Sequence, residues 1–563
     1  MSKRNIISGA AVLFAANLTV KITGVIYKIP LQRLIGDMGM GYFNVAYGIY
    51  TWFFLVSTSG LPIAVSILVA RAVTERKYGL TEKIFRVSLS VFSSVGLICS
   101  ALMIIFGRRF AAISGIENSY LCIYAIAPSV FLSCASSSVR GYYQGHGVMW
   151  VTAASLMIEG LGKTVFGIIF AFASVNNGCE LYVTSACAIA AITAGSLLSA
   201  IFCLTVKLFY KRYKEVSDEK VLSPLLKTAL PVALTSSVMN LSSVTDAFIA
   251  PAGLISTGYT EQQATEIFGN YSTLCLSFSN LPLIFIYPVT SAVLPVLSAY
   301  ICKNDIRKAS RTYLDVIRYS LFISAPCAVG MGVLSEQLLS LLFPYRSAAL
   351  AAPMLSALSL SVTLSALLAV TDTALQAAGK PSYPVISMAS GVLLKLLSMF
   401  ILFKTVGRLA VPLATCLCYL TAVVLNTVFI RKPYRPKKAA SVFIRPALCS
   451  ALCGVTAYFV YPLISPYMPD KAATVVTVFA AAALYLLAVF TFEKLKPSGL
   501  TYIIKNNIIK TKDNKNDGIR NKGKIRFFGS LQNNEDTALS GRLSVGHRTD
   551  SSIDKERLYR RSV

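Results

Sequence analysis

Long apolar runs, each interrupted by only a few polar or charged positions, follow one another from residue 6 to about residue 493. They lie near 6–34, 41–72, 84–107, 119–143, 148–175, 180–209, 222–253, 268–300, 312–343, 352–378, 382–404, 408–430, 441–464 and 470–493. At a rise of about 1.5 Å per residue, helices of this length cross a hydrocarbon core about 30 Å thick. A lipid-facing segment must satisfy its own backbone hydrogen bonds, and the short alternating pattern of barrel strands is absent. The pattern therefore predicts an all-α, polytopic membrane protein of about fourteen helices. Lys3 and Arg4 precede the first run, which extends to about Pro30 without a small-residue cleavage site, as expected of a retained helix.

Polar marks on this apolar background repeat. Gln144, Gly147, Ser155 and Lys163 recur as Gln376, Gly379, Ser387 and Lys395 at a constant offset of 232 positions. Helices one to six and seven to twelve are thus expected to form two pseudo-symmetric six-helix lobes, residues 1–215 and 216–432, in parallel orientation because each holds an even number of spans. Two further helices occupy 433–496. From Pro497 the chain turns polar, Asn-rich and basic, with too few large apolar residues for a core, and 497–563 reads as a disordered cytoplasmic tail that contacts anionic headgroups.

Charge sharpens the topology more than it suggests a ligand. The formal net charge is +28 with only 14% charged residues, but the basic residues crowd into alternate connections, among them Arg71, Arg76, Lys77, Lys211, Arg212, Lys214, Arg307, Lys308, Lys437 and Lys438. That asymmetry predicts both termini in the cytoplasm and argues against nucleic acid as the partner. The two histidines, His146 and His547, and the thirteen cysteines scattered through apolar segments offer no metal-type spacing. No phosphate-binding loop or catalytic triad stands out, so the chain reads as a non-enzyme without cofactor or metal, any Na⁺ or H⁺ coupling aside.

Charges inside the spans are the candidate chemistry, because an ammonium at mid-membrane costs about 2.5–3.5 kcal/mol on insertion scales and needs a partner or a cavity. Asn17, Lys21, Gly24 and Lys28 share one face of the first helix. Lys21, Lys28, Lys163 and Lys395 are expected to form a cationic, substrate-binding cavity suited to a diphosphate, with Lys395 the freest because Gly391 stands where Lys163 has Glu159 four residues before it. Glu159, Asp246 and Asp372 are the acidic partners or ion-coupling groups, Asp372 placed near the cytoplasmic end where solvation would suffice. Asn17, Asn44 and Tyr47 are polar cavity candidates. Gly60, Pro62, Arg140, Gly141, Gln144 and Gln376 are candidate gate or kink positions, since proline removes a helical hydrogen bond and bends the helix.

Gly41-Tyr42 with Tyr47 and Tyr50, Gly60-Leu61-Pro62-Ile63-Ala64 leading to Val69-Ala70, and Arg140-Gly141-Tyr142-Tyr143-Gln144-Gly145 followed by Met149, Thr152, Ser155 and Glu159 resemble one family. It is that of stage V sporulation protein B and related polysaccharide-export proteins, within the multidrug/oligosaccharidyl-lipid/polysaccharide exporter superfamily that includes the lipid II flippases. The chain departs from the family pattern at Val151, Leu156, Gly160 and Lys163. The resemblance implies a multi-pass protein of the bacterial cytoplasmic membrane, sufficient as a monomer. It would flip an undecaprenyl-diphosphate-linked saccharide such as lipid II by alternating access, among membrane lipids and cell-wall synthesis proteins. A cation-coupled multidrug or metabolite exporter of the same fold and a membrane scaffold for cell-wall synthesis are the alternative expectations.

Overall fold

The computed structural model describes residues 3–209, 219–430 and 440–493, and within them every regular element is helical. In the first half of the chain these are α1 (Lys3–Thr58), α2 (Leu61–Thr74), α3 (Tyr78–Ser114), α4 (Tyr120–Ile126), α5 (Pro128–Gly145), α6 (Met149–Asn176) and α7 (Leu181–Phe209). The second half contributes α8 (Leu222–Met239), α9 (Leu241–Ser256), α10 (Glu261–Asn270), α11 (Leu276–Asn280), α12 (Leu283–Cys302), α13 (Ile306–Val333), α14 (Ser335–Leu342), α15 (Tyr345–Ala377), α16 (Ser382–Val406) and α17 (Ala410–Phe429). Finally, α18 (Ala440–Ile464) and α19 (Asp470–Glu493) pack on α13 and α14, with Tyr485 Oη donating to the Phe322 carbonyl at 2.6 Å.

Twelve segments among the described residues are long and apolar enough to span a membrane. The expected fourteen counts two of these twice, Ala15–Thr74 with 60 residues and Ser382–Phe429 with 48. The first of them turns at Gly36, whose φ of 65° is a left-handed conformation that costs glycine little, and breaks again at Ser59-Gly60 before α2. Pro62 lies in the first turn of α2, where the missing N–H costs nothing, so it starts a helix rather than kinking one. Prolines do interrupt the eighth run: α10 passes through a π-turn at Tyr271–Cys275 into α11, breaks at Leu281-Pro282, and resumes as α12. The expected lobe boundaries at 215/216 and 432/433, and the tail from 497, lie outside the described residues.

The repeated Gln and Gly marks are helix ends. Gly147 and Gly379 have φ of 78° and 74°, and each donates its N–H to the carbonyl of Gln144 or Gln376. One residue on, Val148 and Lys380 donate to the carbonyls of Tyr143 and Leu375 at 2.8 and 3.0 Å, completing the same left-handed cap in both copies.

Glycines also set how the halves meet. A Cβ on Gly48 would lie 2.4 Å from the Ala247 Cβ, one on Gly269 2.2 Å from the Asp37 carbonyl oxygen, and one on Gly60 2.1 Å from that of Ala229. Without a solvent-driven hydrophobic force between helices in lipid, such small-residue seams let backbones approach closely enough for dispersion to hold them. A large apolar cluster covers this seam with residues of both halves, from Leu31, Met40 and Ile49 to Ala247, Phe268, Leu274 and Leu358. We expect Gly48→Leu to cost about 1–3 kcal/mol by overpacking. Thermal unfolding of the detergent-purified protein should show it, with Gly330→Ala, whose added Cβ meets nothing within 4 Å, leaving the melting temperature unchanged.

Candidate functional site

Burial decides which of the charged side chains are structural. Lys395, on α16, is fully buried, with Nζ 2.7 Å from Asp246 Oδ1 on α9 and donating to Ser242 Oγ at 2.9 Å. The expectation of a free cation is therefore corrected: the partner comes from another helix, and Gly391 is small because α17 presses on it, a Cβ there falling 2.5 Å from the Cys418 carbonyl oxygen. In a low-dielectric interior a paired and hydrogen-bonded ammonium avoids the desolvation cost of an isolated one.

The same logic corrects the reading of Glu159 and Arg140. Glu159 does not pair with Lys163 one turn away; its Oε2 lies 2.6 Å from Arg140 Nη2, across from α6 to α5. Arg140 also donates through Nε to Ser155 Oγ at 2.5 Å and through Nη2 to Ser199 Oγ on α7 at 2.8 Å. It is buried and joins three helices of the first half rather than standing at an opening. Gly141 beside it serves close packing, a Cβ there lying 3.0 Å from Pro62 Cα. Gln144 is half-buried, Gln376 exposed, and their carbonyls form the caps.

At the offset of 232, Arg140 corresponds to Asp372. Asp372 is buried rather than solvated, and Asn426 Nδ2 donates to its Oδ1 at 2.7 Å. Together with Asn240, Ser242, Tyr287, Ser365 and Thr415 it lines a cavity of about 350 Å³ inside the second half. With aspartate in the arginine's place, Ser387 Oγ, the counterpart of Ser155, is buried without a hydrogen-bond partner.

What remains is a smaller cationic site between the halves. Lys28 extends from α1 to Ser277 on α11, donating through Nζ at 3.0 Å. Lys163 Nζ lies against Gly24, 3.9 Å from where a Cβ would stand, and Gly24 is one helical turn before Lys28 on the same face of α1. Both lysines are half-buried, and among the described residues no carboxylate lies within ion-pair distance of either. Lys21 occupies the same stretch of α1, but its side chain lies outside the described residues. Asn17 is exposed and returns its amide to the Leu13 carbonyl at 3.0 Å. Asn44 is not a cavity residue: it is buried in the seam, donating to Thr273 Oγ1 at 2.7 Å. Tyr47 is exposed within a ladder of Phe43, Tyr50 and Phe54 rings on α1.

Sequence reasoning missed one charged cluster. Lys207 Nζ lies 2.8 Å from Glu82 Oε1 and 3.8 Å over the Tyr142 ring, and Tyr142 Oη donates to the same carboxylate at 2.9 Å. Both charges sit near the ends of predicted spans, where solvation is the ordinary expectation; the adjacent Tyr142-Tyr143 pair was the available signal that something polar is buried there.

Fold and site together define a multi-pass helical membrane protein whose two halves meet at a glycine seam and a half-buried cationic patch. The family described as polysaccharide biosynthesis protein matches residues 6–301, more than half of the chain, and the family described as MatE matches 272–401. The chain belongs to the polysaccharide biosynthesis protein family. It is 24% identical over 519 residues to stage V sporulation protein B of Bacillus subtilis, covering 89% of this chain and 98% of that protein. To the lipid II flippase MurJ of the same organism it is 24% identical over 521 residues, covering 85% and 94%. Among solved structures, MurJ in an inward closed conformation superposes with a TM-score of 0.65 at 17% identity over 86% of this chain and 99% of that one. An inward-facing multidrug resistance MATE transporter gives 0.60 at 16% identity, over 72% and 97%.

Removing one member of a buried ion pair costs about 3–5 kcal/mol, because it strands the other charge. Lys395→Met and Asp246→Asn should each lower the melting temperature and the membrane abundance, and the double variant should recover most of both. A double variant as unstable as the worse single one, in a double-mutant cycle on thermal unfolding, would contradict a mainly structural pair.

Proposed function

We propose that this chain is a flippase for an undecaprenyl-diphosphate-linked saccharide, lipid II or a related polysaccharide precursor, in the bacterial cytoplasmic membrane. The observation that carries the reading is the pair Lys28 and Lys163: Lys28 reaches across to Ser277 of the second half, Lys163 Nζ lies against Gly24 one helical turn before it, and no carboxylate among the described residues lies within ion-pair distance of either. Two cations that repel each other are stabilised by an anion that neutralises both, and a diphosphate bears its charge over several oxygens that lysine engages without strict geometry. Family membership and the similarity to proteins named as a lipid II flippase and a sporulation protein support the same reading.

In this proposal the lobes 1–215 and 216–432 move as two bodies and Lys28 meets the headgroup, with Lys21 and Asn17 of the first helix as further candidate contacts by their sequence positions. The basic end of the bundle, with both termini, faces the cytoplasm. The fourteen-helix count belongs to this topology. Lys395 supports the site through Asp246 rather than by touching the ligand. Binding and reorientation require no covalent chemistry, so the protein acts as a transporter, complete as one chain.

Asp246 and Asp372 are the ion-coupling candidates. Asp372 opens on the polar cavity of about 350 Å³, and Asp246 is adjacent to it through Ser242. That cavity is also the observation that favours the second reading, a Na⁺- or H⁺-coupled exporter of the MATE type, because an organic cation is attracted to carboxylates rather than to lysines.

The test is lipid II translocation in a strain depleted of its own flippases. Wild type should restore it; Lys28→Ala and Lys163→Ala should each reduce it at least tenfold with the protein inserted at normal abundance. Full activity in both variants would remove the cationic-site argument. Failure of well-expressed wild type, together with drug efflux that depends on Asp372, would favour the exporter.

A further inference from the structure

The two caps at Gly147 and Gly379 are alike in backbone but not in what surrounds them. In the first half, Tyr142 and Tyr143 are fully buried beneath the cap; Tyr142 is held by Glu82 and Lys207, Tyr143 Oη donates to the Val206 carbonyl at 3.2 Å, and the His146 ring lies 4.4 Å from that of Tyr142. At the constant offset the second half carries Ala374, Leu375 and Ala378 in place of Tyr142, Tyr143 and His146, and Lys380 in place of Val148. The volume given up by the aromatic rings is not refilled. A cavity of about 200 Å³ stands there, lined by Ala374, Leu375 and Ala378 together with Leu297, Ile301, Tyr313 and Phe429, and among the described residues Lys380 is the one charged residue in its wall.

An apolar void of this size costs stability if it is left empty, and water gains few partners in it. Its wall of aliphatic and ring carbon with a single partly exposed ammonium suits an amphiphile whose chain is apolar and whose head is anionic. Lys380 Nζ lies 4.9 Å from the Tyr383 ring centre and has no carboxylate within ion-pair distance among the described residues. The turn from α12 into α13 and the start of α13 carry exposed Lys303, Arg307, Lys308 and Arg311 against Asp305, which pairs with Lys308, so the field around the cavity is positive. A zwitterionic lipid would gain the burial of its chain but little from this charge.

We propose that the cavity between α12, α13, α15 and α17 is a binding site for a resident anionic phospholipid. One acyl chain fills the space that the first half fills with Tyr142 and Tyr143, and the phosphodiester rests on Lys380. The lipid comes from the leaflet at the basic end of the bundle and acts as a structural ligand of the second half. This inference needs only the membrane location and holds whether the protein carries a lipid-linked saccharide or a drug.

The test uses the full chain in detergent, with phosphatidylglycerol and phosphatidylcholine of identical acyl chains, read by native mass spectrometry and by thermal unfolding. Wild type should retain phosphatidylglycerol at least tenfold more tightly than phosphatidylcholine and melt higher in its presence. Ala374→Phe, which refills the cavity, should weaken phosphatidylglycerol binding at least tenfold, raise the lipid-free melting temperature and abolish the further rise on adding lipid. If that variant does not fold, Ala378→Leu makes the same test with a smaller side chain. Lys380→Val, the residue of the first half, should remove the preference between the two headgroups. Equal binding of the two lipids by wild type, or undiminished phosphatidylglycerol binding in a folded cavity-filled variant, would overturn the proposal. Displacement of phosphatidylglycerol by an equal concentration of undecaprenyl phosphate would also overturn it, assigning the cavity to a polyprenyl chain instead.

Discussion

A charge buried among apolar helices must find its opposite, and that requirement organises this molecule. Three buried or partly buried pairs meet it: Arg140 with the half-buried Glu159, Lys207 with Glu82, and Lys395 with Asp246. Each joins helices within one half of the chain, and each has further hydrogen bonds that share the charge. Because breaking such a pair leaves a stranded ion, the helices it connects move together or not at all. Lys28 and Lys163 are the exception that gives the arrangement its direction. They are half-buried and, among the described residues, have no carboxylate within ion-pair distance, so a cationic requirement is left open where Lys28 reaches from the first half to Ser277 of the second.

Much of this was legible in the sequence, and the limit has a physical cause. Apolar run length is a one-dimensional property, and it located nearly every helix, including the interrupted eighth run. The offset repeat identified the helix caps because a left-handed residue needs glycine wherever the chain makes the same turn. Pairing is not one-dimensional. Glu159 and Lys163 have the spacing of a helical pair, yet Arg140, nineteen positions earlier, offers a planar fork that Ser155 and Ser199 complete from two other helices, and the better hydrogen-bonded partner holds the carboxylate. Lys395 looked free because its partner is on α9, far away in sequence. Asp372 looked solvated because the run ends nearby, although α17 brings Asn426 over it.

The repeat at offset 232 keeps the backbone and varies the interior. The caps at Gly147 and Gly379 superpose in conformation, and Ser155 and Ser387 are both fully buried. Between them, arginine became or came from aspartate at 140 and 372, and two tyrosines beneath one cap stand opposite alanine and leucine beneath the other. A cap is fixed by local geometry, which any copy must keep to end its helix. A buried side chain is fixed only by its neighbours, so pairs of positions can change together in one copy without disturbing the other. The first half thereby pairs its arginine at this position with Glu159, while the second keeps a polar cavity beside Asp372.

The contrast between bonds within the halves and bonds across them bears directly on motion. Among the described residues, the polar contacts across the halves include Asn44 to Thr273 at 2.7 Å, Ser347 to Asp37 at 2.7 Å, Arg33 to the Leu342 carbonyl at 3.2 Å, Lys28 to Ser277 at 3.0 Å and an exposed ion pair of Lys77 with Glu219 at 2.7 Å. The first four are hydrogen bonds between neutral groups or between a charge and a neutral group, worth about 0.5–3 kcal/mol each and replaceable by water, and an exposed ion pair is worth about 0–1 kcal/mol. The glycine contacts beside them depend on close approach, and dispersion falls away steeply once helices separate by an ångström or so. Two assemblies, each locked internally by ion pairs that are expensive to break, are therefore held together by contacts that are inexpensive to exchange. Such an interface would open under strain before either half deforms, and in the proposed flippase Lys28, which bonds across it to Ser277, would couple that opening to the anionic headgroup.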